Sequence, residues 1–190
     1  MSTEPVDATI AAIESALAGS AVTFVRLPAV DLAAADRLSV LFESFQTHDV
    51  PAGDQAKRWL CDHALVEYAT ARTTLALAEG RLEGFYSLAA QHADLSGPER
   101  AAAGVTADRR RVPATLMAWI ARNPQASVTG RQLFLHALGT SRQASELAAS
   151  AVMVLDAHDE STAQMWLSRP YRLRRSERQA LRLWVPLREA

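Results

Sequence analysis

Apolar positions at Val6, Ile10, Ile13 and Leu17 recur at helical spacing, and Gly19 follows as a stop. This pattern predicts a short amphipathic helix at about 4–18 that caps the core. Residues 22–27 alternate as a first strand, which Pro28 ends. Leu32, Leu38, Leu41, Phe42 and Phe45 suggest a helix over 32–45. After the break at Pro51-Ala-Gly-Asp54, Asp54 is placed to cap a helix that buries Trp59, Leu60 and Ala64. Residues 73–78 and 82–90 read as antiparallel strands joined by Glu79-Gly80-Arg81. A polar excursion over 94–111 contains one helical turn at Pro98-Glu-Arg-Ala. Residues 112–121 form an apolar run suited to a buried central strand, 124–129 a loop, and Gly130 opens a helix with Leu133, Phe134, Ala137 and Leu138 on its apolar face. A strand at 151–157 and a capped helix at 159–168 follow. Strands at 171–174 and 181–186, around a Ser176-Glu177 turn, close the chain, with Leu173, Leu181 and Leu183 facing inward. The order implies an α/β (α+β) fold with a mostly antiparallel sheet, and no repeat or linker divides it. We expect one domain over 1–190 with an added N-terminal helix.

Composition changes this picture little. Of 190 residues, 49% are hydrophobic and 22% charged, as in a globular chain with a sizeable core. The net charge of -1 gives no global pull toward nucleic acid or membrane. Charge is locally uneven: Arg109, Arg110 and Arg111 form one basic run, and residues 169–182 hold six arginines, while Lys57 is the only lysine. A single cysteine, Cys61, excludes an internal disulfide. No apolar run approaches the roughly 18 residues of a membrane span. The N-terminus, with Glu4 and Asp7, lacks the basic start of a signal peptide. These features suggest a cytoplasmic protein.

The stretch most informative for chemistry runs from the strand at 112–121 through Asn123-Pro-Gln-Ala-Ser-Val-Thr129 into the helix opened by Gly130. Amides at a helix start have no intrahelical partner and lie at the positive end of the helix dipole. Such a turn suits a pyrophosphate. Gly130 lets backbone approach a phosphate closely, and Ser127, Thr129 and Arg131 add donors. An ordinary strand–loop–helix connection would carry the same pattern. His48, His63, His136 and His158 show no metal-ligand spacing, and no metal is expected.

In these residues the chain resembles the GNAT acetyltransferases, and most closely the branch that includes tRNA-acetylating toxins. Phe45 to Leu60, with Gly53 and Trp59, is similar to the segment that opens that branch. Residues 73–90 are similar to its second and third strands, 112–121 to its fourth, and 130–138 to the helix after the coenzyme A phosphate loop. Residues 152–155 and 159–166 match the fifth strand and the following helix. The resemblance covers roughly 22–187 and rests on order and spacing. It implies a GNAT-like fold, acetyl-CoA as co-substrate, and contacts to it from Ile120, Ala121, Gln125, Ser127, Val128, Thr129, Gly130, Arg131 and Trp166. Two departures stand out. The family's loop reads Gln/Arg-x-x-Gly-x-Gly/Ala, whereas here Gln125-Ala-Ser-Val128-Thr-Gly130 has valine at the first glycine. The tyrosine that in many members protonates the leaving thiolate aligns with Trp166.

The implied activity is acetyl transfer to a primary amine. The amine must be neutral to attack, since a lysine-like pKa is about 10.4. A fourth-strand amide at Ile120 or Ala121 would stabilise the oxyanion. A thiol of pKa about 8.5 can leave without a strong acid. Tyr171 and Tyr86 are the candidate acids and Glu43 a candidate base, with His92, Asp94 and Glu99 also near acceptor-facing regions. Trp119 and Trp166 could line the acyl pocket, although tryptophans most simply pack the core. The partner is an amine acceptor, small or macromolecular, with homodimerisation left open. Two alternatives stand: a toxin acetylating aminoacyl-tRNA, held by a ribbon-helix-helix antitoxin and contacting tRNA phosphates through its arginine runs, or a non-catalytic domain for coenzyme A sensing or protein association.

Overall fold

A computed structural model of the chain describes residues 4–27, 36–66, 70–106 and 111–188. Pro28, Leu32, Arg109 and Arg110, and the side chain of Val6, lie outside the described residues. The chain divides into two compact units, Met1–Ser87 with Trp119–Phe134, and Leu88–Ala118 with Leu135–Ala190. Seven strands form one sheet in the order β1-β2-β3-β4-β5-β7-β6: β1 (Thr23–Arg26), β2 (Arg72–Ala78), β3 (Arg81–Asp94), β4 (Arg111–Arg122), β5 (Val152–Asp156), β6 (Arg174–Arg175) and β7 (Arg182–Pro186). The sheet is mixed and mostly antiparallel. β1–β2, β5–β7 and β6–β7 are antiparallel, and β4 and β5 run parallel with Ala114 opposite Val152 and Leu116 opposite Val154.

In the first unit, α1 (Glu4–Ala18), α2 (Asp36–Glu43) and α3 (Pro51–His63) cover β1, β2 and the start of β3. Ile13 and Ala16 of α1 are buried in the same cluster as Phe42, Phe45, Leu60, Leu75, Leu77 and Phe85, so the N-terminal helix does cap a core. α3 starts earlier than predicted. Pro51 takes a first-turn position, where a missing N–H costs nothing, and Val50 precedes the helix without a side-chain cap. Asp54 therefore lies within the first turn, where its charge suits the helix dipole, and is not the cap. The β2–β3 hairpin turns on Glu79 and Gly80, both at positive φ, as a two-residue turn with right-twisted strands requires.

In the second unit, α4 (Gly97–Ala102) interrupts the polar excursion after β3. Ser96 and Glu99 form a reciprocal capping box. The Glu99 carboxylate also accepts from the Glu177 amide at 3.0 Å and the Trp184 indole at 3.1 Å. Trp184, 1% exposed, sits among Ala93, Leu95, Val112 and Val154, so Glu99 ties α4 to β7 and the turn before it. α5 (Gly130–Ala148) places Leu133, Phe134, Ala137 and Leu138 inward as predicted, but continues well beyond them. α6 (Glu160–Leu167) is capped by Asp159, which accepts from the Thr162 amide.

The C-terminal hairpin departs from expectation in two places. Arg172 has φ +57°, in the left-handed region, so the strand predicted over 171–174 shrinks to Arg174–Arg175. Leu181 precedes β7 and is 36% exposed, whereas Leu173 and Leu183 are buried as predicted.

The Glu99 junction yields a stability test. Glu99→Ala leaves the Ser96 and Glu177 amides and the buried Trp184 indole N–H without their acceptor, at a cost of about 3 kcal/mol. Denaturant unfolding should read that loss, and a change under about 0.5 kcal/mol would contradict the role.

Candidate functional site: a phosphate-type loop held from inside by Glu83

β4 ends at Arg122, and the chain turns through Asn123–Thr129 into α5. Asn123 starts the turn: its amide donates to the Glu83 carbonyl at 2.8 Å, and its side chain accepts from the Gln125 amide at 2.9 Å. Gly84 makes the crossing possible. A Cβ there would sit 2.9 Å from the Ala121 carbonyl, 3.0 Å from Leu133 Cδ1 and 3.2 Å from Arg122 Cα. Strand, loop and helix thus converge where only glycine fits.

Glu83, the residue before it, lies wholly buried beneath the loop. Its carboxylate accepts from the amide and hydroxyl of Ser127, from the Val128 amide at 3.2 Å, and from Arg81 on the same strand. Arg81 also reaches the Gln125 carbonyl at 3.4 Å. Burial pushes the Glu83 carboxyl up. Hydrogen bonds from the Ser127 hydroxyl, Arg81 and the two amides outweigh that, and its pKa lies below the usual value. Val128, at the family's first glycine, is fully buried, its side chain taken into the packing under the loop.

The next residues form a second closed set. The Thr129 amide and hydroxyl both donate to Gln132 Oε1 at 2.8 Å, and the Gln132 amide donates back to Thr129 Oγ1 at 3.1 Å. This reciprocal cap starts α5. Ser127 and Thr129, expected as ligand donors, therefore direct their hydroxyls to Glu83 and Gln132. The amides of Gly130 and Arg131 remain as first-turn donors without intrahelical partners. Chain neighbours and the helix's own backbone aside, no described atom lies within 4 Å of a Cβ built at Gly130, so the surface there is open. Gln125 and Arg131 are exposed beside it.

The other expected residues fall elsewhere. Ile120 and Ala121 are half-buried on β4. Tyr86 is fully buried on β3, and Glu43 is exposed at the end of α2, where its carbonyl accepts from Lys57 at 2.9 Å. In the second unit Trp166 and Tyr171 stand together, with ring centroids 6.0 Å apart and planes at 50°. Tyr171 is 8% exposed. Glu99 is not free to act as a base, because three donors hold its carboxylate in the junction described above. Asp94 pairs with Arg178 at 3.5 Å, and His92 is exposed. Burial pushes the His136 pKa down. The half-buried Trp59 and Trp119 stack at 5.9 Å on the rim of the first unit's core. Among the described residues no group of three or more His, Cys, Asp or Glu could hold a metal. No helix among them is long and apolar enough to cross a membrane.

Glu83 was absent from the residues expected to matter. The signal was an acidic residue inside the apolar strand Leu82-Glu83-Gly84-Phe85, two positions after an arginine.

Several solved structures share this chain's fold at low sequence identity. AtaT complexed with acetyl-methionyl-tRNAfMet aligns with TM-score 0.67 and 14% identity over 87% of this chain and 95% of that one. A tyrosine-to-phenylalanine mutant of KacT gives TM-score 0.67 and 14% identity over 87% and 95%. An AtaT mutant of the same kind, bound to the C-terminus of the antitoxin AtaR and acetyl-CoA, gives 0.62 and 16% over 88% and 94%. The fold is the GNAT fold. No protein-family model matches the chain, and no curated protein does.

Two predictions follow from this geometry. Gly84→Ala forces Cβ against backbone at 2.9 Å and should destabilise the protein by about 2 kcal/mol, read by denaturant unfolding; an unchanged midpoint would contradict the close crossing. The Glu83 carboxyl has a folded pKa below its ordinary 4.5. The stability it confers is therefore fully present above the unfolded value and lost as pH falls through the folded one. Thermal melts should show stability falling as pH drops below about 4.5, more gently in Glu83→Gln. Equal slopes would contradict the assignment.

Proposed function

We propose that this protein is an acetyl-CoA-dependent N-acetyltransferase, working in the cytoplasm as one GNAT domain with an added N-terminal helix. The observation that carries the proposal is the turn into α5: in a GNAT fold, Gly130 and Arg131 are exposed first-turn residues whose amides have no intrahelical partner. Those amides and the exposed Arg131 side chain fit a pyrophosphate. The cofactor-binding set is Ile120, Ala121, Gln125, Ser127, Val128, Thr129, Gly130, Arg131 and Trp166. Ser127, Val128 and Thr129 serve it by shaping the loop.

The chemistry asks little of the side chains. A neutral primary amine attacks the thioester carbonyl, the carbon–sulfur bond breaks, and the thiolate takes a proton. Negative charge gathers on the carbonyl oxygen during attack, where a β4 amide at Ile120 or Ala121 can donate to it. Positioning the two substrates supplies much of the rate. Trp166 cannot donate a proton as a tyrosine would. Packed at 6.0 Å from Tyr171, it acts by excluding water, and Tyr171 or water supplies the proton. Tyr86, wholly buried, is the lesser candidate acid, and Glu43 the candidate base.

Aminoacyl-tRNA is the acceptor favoured by the neighbouring folds, one of which is AtaT with acetyl-methionyl-tRNAfMet, and an antitoxin would then be the regulatory partner. The C-terminal arginines qualify this. Arg175 pairs with Glu160 at 2.6 Å, Arg182 with Asp156 at 2.6 Å and Arg178 with Asp94, while Arg174 lies 5.3 Å over the Trp184 ring. These contacts leave the exposed Arg169 and Arg172 better suited to phosphates.

Acetyl-CoA at about a hundred times its Kd should stabilise the protein by about 2.7 kcal/mol and raise its melting temperature. Transfer of labelled acetyl to charged tRNA, against free amines, then identifies the acceptor. No melting shift and no binding heat at saturating acetyl-CoA would overturn the proposal. Trp166→Tyr should hold or raise turnover; a loss would show that the tryptophan does more than pack.

A further inference from the structure

The loop's amides divide into two sets, and the division assigns a role to Glu83. Ser127 and Val128 donate inward to its carboxylate, and Thr129 and Gln132 cap each other. The Gly130 and Arg131 amides lie on exposed residues in the first turn, without intrahelical partners. In a Gly-x-Gly loop, small residues let successive amides gather round a phosphate from outside. Here Val128 is buried and cannot play that part. A buried anion, itself anchored by Arg81, draws the same segment inward, just ahead of the Thr129–Gln132 cap that starts α5.

We infer that Glu83 is a positioning residue for the acyl-CoA pyrophosphate: it holds the Ser127–Val128 segment from inside, in place of the missing glycine, so that the Gly130 and Arg131 amides receive the phosphates. This rests on the acyl-CoA reading above. Glu83 touches no substrate; it acts through the loop. The internal carboxylate also keeps the first two amides from competing for the ligand, so the phosphate contact is confined to the first turn of α5. A residue in this role governs binding of the nucleotide end of the co-substrate and leaves the pantetheine end unaffected.

The test compares coenzyme A, by calorimetry, with acetyl-pantetheine, which lacks the pyrophosphate, by thermal shift at millimolar concentration. Two variants are used. Glu83→Gln keeps shape but breaks the fourfold acceptor. Gly130→Pro removes one N–H at a first-turn position that accepts proline, and, chain neighbours and the helix's own backbone aside, no described atom lies within 4 Å of the new Cβ. Glu83→Gln should weaken coenzyme A at least tenfold and leave the acetyl-pantetheine shift unchanged. Gly130→Pro should weaken coenzyme A several-fold with the ligand-free melting temperature unchanged. Unchanged or tighter coenzyme A binding in Glu83→Gln would overturn the inference, as would equal weakening of both ligands, which marks a merely structural residue. Wild-type protein that binds neither ligand would remove the acyl-CoA reading itself, before any variant is compared.

Discussion

A single buried carboxylate organises the part of this molecule where chemistry is expected. Glu83 has no exposed surface, and burying a charge is costly unless it is paired and hydrogen-bonded. The chain meets that cost with Arg81 and three donors from a loop 44 residues away in sequence. The consequence reaches past stability. Where the loop bends and which amides face inward follow from those bonds, and the Thr129–Gln132 cap then starts α5. The close passage of Gly84 against Ala121 and Leu133 has the same origin, because the strand carrying Glu83 must lie directly under the turn.

The second unit repeats the device with a different purpose. Glu99 is also a buried carboxylate satisfied by backbone amides, and its last donor is the indole of Trp184. There it fixes a short helix to the C-terminal hairpin. Two acidic residues, one not singled out by the sequence and the other read as near an acceptor-facing region, are thus internal fastenings. One shapes a loop that faces outward, and the other closes a core.

Much of the fold was legible because it is written in local periodicity. The strands at β2, β4 and β5, the apolar face of α5 and the Asp159 cap all declare themselves within a few residues. What escaped depends on distant partners or on backbone conformation. Nothing near Glu83 announces Ser127. Arg172 enters the left-handed region and ends a strand its side-chain pattern would have continued. Asp54 looks like a cap, but Pro51 starts the helix first. The helical turn at Pro98-Glu-Arg-Ala was read, but the Ser96–Glu99 box that caps it and its reach to Trp184 required the folded chain. At the site, loop and helix were legible as a pair, whereas the inward use of the Ser127 and Thr129 hydroxyls was not.

The account therefore turns on which amides face the ligand. A crystal structure with coenzyme A bound measures this directly. The account predicts pyrophosphate oxygens on the Gly130 and Arg131 amides, with Glu83 still accepting from Ser127 and Val128. A pyrophosphate seated on the Ser127 and Val128 amides, with Glu83 displaced, would contradict it.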